Sequence, residues 1–371
     1  MIRLLTAVFL LALLSCNSEE EIANGSAVPR VELAPSAIIG SGDFAGETSF
    51  GAICDVDFLE DGTIVVLDRM KGYAAAFSRS GEYLFSIGAP GEGPGEFVDP
   101  DFMTPVEGGL VVFEKESAKA SLFDLDGVYQ GELEGSGTFQ IPNYCCTAGD
   151  SMLVGGVTAM DETGGEMAAM YMVLVCDMSL HASDTLYTHR FTMEYGNFSG
   201  MLRNTAFSCS FAGDHQGNVF ISPASTEEYR IMGFDRNGEM ILELDLEKEM
   251  VERSQEEITR EQERFNSVLS ARNPGFSQSY QPLECRYMIP PNGIHTDDLG
   301  RIWVRDGLAD GPEFDVYNYS GEVLFTAVTS GIDPWDTNDV LWWSVGEYGL
   351  LCFSIDPYEN PVVYFFPIPE V

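Results

Sequence analysis

The chain has 371 residues, 45% of them hydrophobic and 12% aromatic, with 19 Lys+Arg against 59 Asp+Glu for a formal charge of −40. That apolar fraction supports a packed core and excludes disorder for most of the chain, and so few cations exclude nucleic acid as a partner, because phosphate neutralisation needs clustered Lys and Arg. Only four basic residues are lysines (Lys71, Lys115, Lys119 and Lys248), and the acidity reads as a solubilising surface.

The first predicted element is an apolar run of eleven residues, Leu4 to Leu14, after Met-Ile-Arg. Its length fits a signal-peptide core and is too short for a permanent bilayer span. The sequence Leu13-Leu14-Ser15-Cys16 resembles the bacterial lipobox, in which a small residue precedes the cysteine that is acylated and becomes the new N-terminus. The resemblance implies a lipoprotein signal peptide over residues 1–15, lipidation of Cys16, and a membrane partner held through the lipid anchor, each buried CH₂ contributing about 0.8 kcal/mol. Cleavage removes Arg3 alone, leaving 18 basic against 59 acidic groups, or −41. Residues 16–30 read as an acidic tether. Asn17 differs from the Asp that marks inner-membrane retention in enterobacteria, so the expected location is the cell envelope at the outer membrane, on its periplasmic or surface side. Ser18-Glu19-Glu20-Glu21 also resembles the acidic surface-export signal of some Bacteroidetes lipoproteins.

From residue 31 onward the chain repeats. Asp61-Gly62-Thr63-Ile64-Val65-Val66-Leu67-Asp68 recurs around Gly108 (Glu107 to Glu114), Gly217 (Gln216 to Ser222) and Gly300 (Leu299 to Arg305). Each is a turn glycine followed by a β-branched or aromatic strand. A second turn follows at Gly81, Gly127, Gly238 and Gly321, at spacings of 19, 19, 21 and 21 residues. The unit is strand, tight turn, strand, loop, strand, tight turn, strand, which is a propeller blade. Two more units are degenerate: Tyr144 to Tyr187, with a longer loop around Asp161 to Glu166, and Val340 to Pro367, which holds only three strand-like runs. The unassigned run from Val31-Glu32-Leu33 to Ile38-Ile39 is expected to complete the last blade and leave no sheet edge open.

One interruption is helical. Ser254-Gln255-Glu256-Glu257 is a capping box, and Ile258, Phe265, Val268 and Leu269 form one apolar stripe until Asn273-Pro274-Gly275, so a helix is predicted over about 254–272. It joins blade four to blade five, where it and Phe276 to Glu284 are placed to cap the channel mouth or to pack on the rim.

Ile87-Gly88-Ala89-Pro90-Gly91-Glu92-Gly93-Pro94-Gly95-Glu96-Phe97 and Asp298-Leu299-Gly300-Arg301-Ile302-Trp303-Val304 resemble the connector and blade motifs of the NHL-like six-bladed β-propellers found as bacterial lipoproteins. The resemblance covers residues 31–371. It implies an all-β, six-bladed propeller, one domain behind a tether, without fixing an activity. The glycine-rich connector lacks a G-K-[ST] ending, carries Glu92 and Glu96 and leads into no helix, so it is not a phosphate loop.

Candidate sites follow from the blade plan. None of the four histidines (His181, His189, His215, His295) lies in a G-x-S-x-G setting, so no catalytic residue is assigned; His295 sits on the inner strand of blade five and is a candidate channel residue. Asp55/Asp57 and Asp99/Asp101 open inner strands with both members of each pair on one side, and Asn143 and Asn292 stand at equivalent starts. Together these six are candidate Ca²⁺ ligands, the other reading being turn capping. Related six-bladed lactonases hold calcium at that place, which implies a lactonase- or lyase-type enzyme as the alternative function, although their full ligand set does not map onto these positions. The loops on the channel-entrance face carry Arg69, Lys71, Lys115, Lys119, Arg203, Arg272, Arg286 and Arg305. Of these, Arg69, Lys71, Arg203, Arg286 and Arg305, with His295, are taken as the candidate ligand-binding set, since clustered cations in an acidic molecule focus an anion at the mouth. The alternative is that each pairs locally with Asp or Glu. The favoured function is an envelope-anchored binding or scaffold module whose partner is a small anionic ligand or an envelope protein. Seven cysteines remain beside Cys16, with no C-x-x-C and no zinc-type Cys/His spacing, and most lie in apolar runs as core residues.

Overall fold

A computed structural model describes residues 28–40, 49–134, 142–161, 168–193, 197–206, 208–272, 279–332, 341–354 and 361–369. The expected signal peptide, Cys16, the tether up to residue 27 and the loop around 162–166 lie outside them. β-Branched and aromatic runs punctuated by Gly, Asp and Asn fold as hairpins with their sequence neighbours. Two short strands come first, β1 (Arg30–Leu33) and β2 (Ala37–Ile39). Blade 1 is β3 (Ile53–Phe58), β4 (Ile64–Asp68), β5 (Tyr73–Phe77) and β6 (Tyr83–Ile87). A connector holds the parallel pair β7 (Ala89–Pro90) and β8 (Glu96–Phe97). Blade 2 is β9 (Phe102–Val106), β10 (Gly109–Glu114), β11 (Lys119–Asp124) and β12 (Tyr129–Glu132). Blade 3 is β13 (Tyr144–Ala148), β14 (Met152–Asp161), β15 (Ala168–Asp177) and β16 (Ala182–Thr192), followed by α1 (Phe198–Ala206). Blade 4 is β17 (Cys209–Gly213), β18 (Val219–Pro223), β19 (Tyr229–Phe234) and β20 (Met240–Leu246), followed by α2 (Gln255–Arg272). Blade 5 is β21 (Ile294–Thr296), β22 (Arg301–Arg305), β23 (Glu313–Asn318) and β24 (Val323–Thr329), and blade 6 holds β25 (Leu341–Gly346), β26 (Gly349–Ser354) and β27 (Val363–Pro367).

Closure divides the expected N-terminal strand in two. β2 pairs antiparallel with β27 and supplies the fourth strand of blade 6, whereas β1 pairs parallel with β24 and becomes a fifth strand on blade 5. Between them stands Pro35, which has no amide to donate to a ladder, and the chain crosses to the next blade there.

Five of the eight repeat glycines share one physical cause. Asp124, Asp214, Asp235, Asp297 and Asn318 each accept, through Oδ1, the backbone amides two and four residues ahead. The intervening Gly127, Gly217, Gly238, Gly300 and Gly321 take the positive φ that the turn requires. Degenerate blade 3 keeps the acid, Asp177, and its two amides, but puts Leu180 at φ 62° where the others use glycine. Burial of the Leu180 side chain offsets the backbone strain.

The core is divided into wedges between blades. Val56, Val66, Phe353 and Phe365 pack between blades 6 and 1, and Leu67, Phe97, Leu110 and Phe123 between blades 1 and 2. Trp303, Phe314, Trp343 and Phe366 fill the gap between blades 5 and 6 with edge-on aromatic contacts. Each fully buried aromatic or branched side chain contributes about 1.5–3 kcal/mol. The seven described cysteines are all free thiols.

The predicted helix forms as α2. Ser254 Oγ accepts the Glu257 amide (3.2 Å) while Glu257 Oε2 accepts the Ser254 amide (2.7 Å). The helix α1 is a further element that sequence patterning missed. None of the described helices is long and apolar enough to cross a membrane.

Candidate functional site

Inner strands β3, β9, β13, β17, β21 and β25 adjoin one another around the central bore. Alternation on β3 sends Asp55 and Asp57 to the same side. Asp55 Oδ2 accepts the Met103 amide of blade 2 at 2.8 Å, and Asp57 Oδ1 accepts the Phe58 amide at 2.8 Å and the Ser344 hydroxyl of blade 6 at 3.0 Å. Burial raises both carboxyls, Asp57 to about 6 and Asp55 well above the ordinary range, the amide donors only partly opposing it. Tyr144 and Cys146 of β13 share this environment; burial pushes the Tyr144 phenol well up and the Cys146 thiol to about 12.

The other calcium candidates are engaged elsewhere. Asp99 and Asp101 both meet Arg69, at 3.2 and 2.6 Å. The Asn143 amide group lies 3.4 Å from Thr158 Oγ1, across blade 3. Asn292, at φ 53°, donates to the Trp343 carbonyl (3.0 Å) and accepts the Trp343 amide (2.7 Å), splicing blade 5 to blade 6. The structure therefore brings Asp55 and Asp57 together in the bore and Asp99 and Asp101 together on Arg69. Among the described residues, no group of three or more His, Cys, Asp or Glu is arranged to hold a metal ion. Calcium takes six to eight oxygens at about 2.3–2.6 Å, and the two bore carboxyls alone fall short of such a set.

The loops between second and third strands and the segments leading into inner strands share one face, as their contacts show. Arg69 Nε donates to the Pro100 carbonyl (3.0 Å), Lys71 Nζ to the Ser49 carbonyl, and Arg305 Nη1 to the Leu341 carbonyl (2.8 Å). Lys119 Nζ reaches the Glu96 carbonyl at 2.7 Å, and Lys115 stands 3.8 Å from Asp101. Arg286 donates to the carbonyls of Leu308 and Ala309 and meets Glu257 and Asp310, and Arg203 donates to the Gln281 carbonyl at 2.8 Å. Arg69, Lys71 and Arg286 thus lie in loops, Arg203 on α1 and Arg305 at the end of β22; Arg69, Lys115, Lys119 and Arg286 also pair with Asp or Glu, as the local-pairing alternative expects. Arg305 and His295 are buried; His295 Nε2 is 3.1 Å from the Asn292 carbonyl, and burial lowers the imidazole to about 3, so it is neutral. Arg272 lies at the end of α2.

Sequence reasoning missed the carboxylates that shape this face. Asp68 accepts the amides of Gly51, Ala52 and Lys71, and Glu114 those of Val98 and Asp99, so in blades 1 and 2 the acid ending the second strand clamps the segment leading into its own blade. The signal was present as the repeated terminal acid of the Asp61–Asp68 and Glu107–Glu114 motifs. It also missed Tyr144, Cys146 and Ser344, which only ring closure assembles. Over blades 4 and 5, α1 and α2 clasp the segment 279–288. Ser199 Oγ accepts the Gln281 amide (2.7 Å), Phe265 stacks on Tyr280 (4.2 Å), the Tyr280 hydroxyl donates to Glu261 (2.8 Å), and Glu261 pairs with Arg253.

Among solved structures, a member of the duf4221 family from Bacteroides vulgatus superposes over 90% of this chain and 97% of its own, with a TM-score of 0.51 and 13% identity. A gluconolactonase from Xanthomonas campestris superposes over 86% and 87% (TM-score 0.45, 13% identity), and regucalcin, a calcium-binding protein from Agrobacterium tumefaciens, over 91% and 95% (TM-score 0.42, 10% identity). At these identities the likeness is one of fold. No curated protein matches the sequence. A family described as 6-bladed beta-propeller (DUF5128) matches residues 46–268, more than half of the chain. Six blades, their closure by β2 and this match together place the chain in that family of six-bladed propellers.

Proposed function

We propose that this propeller is a lipid-anchored binding module of the cell envelope, tethered through Cys16 at the outer membrane, that takes a small anionic ligand at its channel-entrance face. The relation to NHL-like lipoproteins and the anchor rest on the sequence motifs. The observation that supports the ligand class is that Arg69, Lys71, Arg203, Arg286 and Arg305 each donate to a main-chain carbonyl of a segment joining or leading into blade strands. In a chain of charge −40, cations held on one rim attract an anion there while the remaining surface repels it. The bore favours this reading over a calcium-dependent lactonase or lyase, because its two carboxyls are already occupied with amides and a hydroxyl.

A thermal-shift screen of sugar phosphates, uronates and dicarboxylates tests the assignment. A stabilising anion whose effect is lost in Arg69→Ala/Lys71→Ala supports it; an equal shift in that variant rejects the entrance face. For the anchor, Cys16→Ala is expected to move the protein from the membrane to the soluble fraction, and continued membrane fractionation would reject lipidation.

A further inference from the structure

We propose that Tyr229, Asp306 and Asp315 form a binding site for a primary alkylammonium at the seam between blades 4 and 5, filled by the protein's own Lys248, and that this internal ligand latches the strap leading into α2. The inference is independent of any anion at the entrance face. Lys248 Nζ lies 4.2 Å from the centre of the Tyr229 ring, 3.7 Å from Asp306 Oδ2 and 3.6 Å from Asp315 Oδ2. It belongs to the strap 247–254 between β20 and α2. In the run 245–250 every residue except Lys248 is exposed, so the one cation of the run turns inward while Glu247 and Glu249 stay in solvent.

The walls of the site are held without Lys248. Asp306 follows β22, and its Oδ1 accepts the Leu308 amide (3.0 Å), which leaves Oδ2 to face the ammonium. Asp315 of β23 uses Oδ1 for the Thr326 hydroxyl of β24 (2.9 Å) and again turns Oδ2 to the ammonium. The hydroxyls of Tyr229 on β19 and Tyr317 on β23 bond each other at 2.8 Å and both side chains are buried, so the aromatic wall is fixed across the seam. Groups already oriented in this way need little ordering when a cation enters. One ring face and two carboxylates that each offer a single oxygen suit a compact ammonium better than a guanidinium, whose fork favours a bidentate partner. Beyond Lys248 the strap pairs with the segment before β21: the Val251 carbonyl accepts the Arg286 amide (2.9 Å), and the Arg253 amide donates to the Glu284 carbonyl (2.8 Å). Arg253 then pairs with Glu261, and Arg286 with Glu257 (2.9 Å), both on α2. Lys248 therefore fastens the propeller end of a strap whose other end carries the helix.

The test is hydrogen exchange read by mass spectrometry on the purified protein and on Lys248→Ala, which removes the ammonium and its propyl stem. Exchange in peptides holding the Arg253 and Arg286 amides is expected to be about tenfold faster in the variant, with β17 to β19 unchanged. Added n-propylammonium, the fragment removed, is expected to restore slow exchange, whereas 1-propanol, its neutral isostere, is not. Restoration is expected to be lost when Asp306→Asn and Asp315→Asn are added to Lys248→Ala. If Lys248→Ala fails to fold, Lys248→Met keeps the stem without the charge, and faster exchange is expected there too. Unchanged exchange at Arg253 and Arg286 in a folded variant overturns the latch. Failure of n-propylammonium to restore it in Lys248→Ala, or restoration that 1-propanol matches or that survives loss of both carboxylates, overturns the ammonium site.

Discussion

The same side chain does opposite work in two regions of this propeller. In the exposed turns, Asp177 and Asp235 accept backbone amides in water, and those donors hold their carboxyls below the ordinary range. In the bore, Asp55 and Asp57 also accept amides, yet burial outweighs the donors and both carboxyls rise. The difference teaches that amide donation sets the sign of a carboxyl's shift only where solvent is near, so an acidic composition does not translate into uniform charge. The turn carboxylates are held below the ordinary range while fixing hairpins; burial holds the bore carboxyls above it.

The sharpest way to break the comparison lies between the two regions. Asp297 is a turn acid that is buried, accepting the Leu299 and Arg301 amides, the Arg301 guanidinium (2.6 Å) and the Trp303 indole (2.7 Å). Asp297→Ala strands Arg301 against Trp303 and Phe325, and a loss of about 3–5 kcal/mol in chemical denaturation is expected. A loss near zero would mean that the buried turn behaves like an exposed one.

Next in size is Asp57→Asn, expected to stabilise the protein by about 1–2 kcal/mol at pH 7.5, a figure reduced for water in the bore. The sign follows from a carboxyl raised from 3.8 to about 6: wild type binds more protons when folded, so its stability is greatest at low pH and declines as pH rises from about 4 through 6. The variant should therefore gain nothing at pH 4. Removing a cap outside both regions, Ser254→Ala, is expected to cost about 1 kcal/mol, measured as loss of denaturation free energy with the fold retained. The smallest effect belongs to Asp235→Asn. Its depressed carboxyl contributes stability that is present above the unfolded value and fades as pH falls below it, the reverse of Asp57. Parallel pH profiles for the two variants would erase the contrast.

The blade repeat was legible because its chemistry is local. An Asp or Asn accepting amides two and four residues ahead, with glycine between, leaves a fixed spacing in the sequence. The capping box of α2 is equally short-range. The helix α1 was hidden because its N-cap, Asn197 accepting the Gly200 amide, is followed by Ser199 and Gly200, both weak helix formers. The parallel pairing of β1 with β24 depends on partners as distant in the chain as Arg30 and Thr326, and nothing in the alternation of Arg30 to Leu33 distinguishes that edge from the one β2 takes. The sequence pointed to Arg69 and Lys71 in the loop after β4 and to Arg305 at the end of β22, and the structure seats each on a main-chain carbonyl. The site was not legible as a set of partners: Asp55 meets Met103 only when blades 1 and 2 pack, and Asp57 meets Ser344 only once the ring has closed.

The most direct test of the entrance-face assignment is a calorimetric titration of the best anion from the screen, performed with and without EDTA, on wild type and on Arg69→Ala/Lys71→Ala. Binding is expected to be unchanged by EDTA and at least tenfold weaker in the variant. Binding or substrate turnover that requires calcium and is untouched by the two substitutions would contradict the assignment and return the function to the bore.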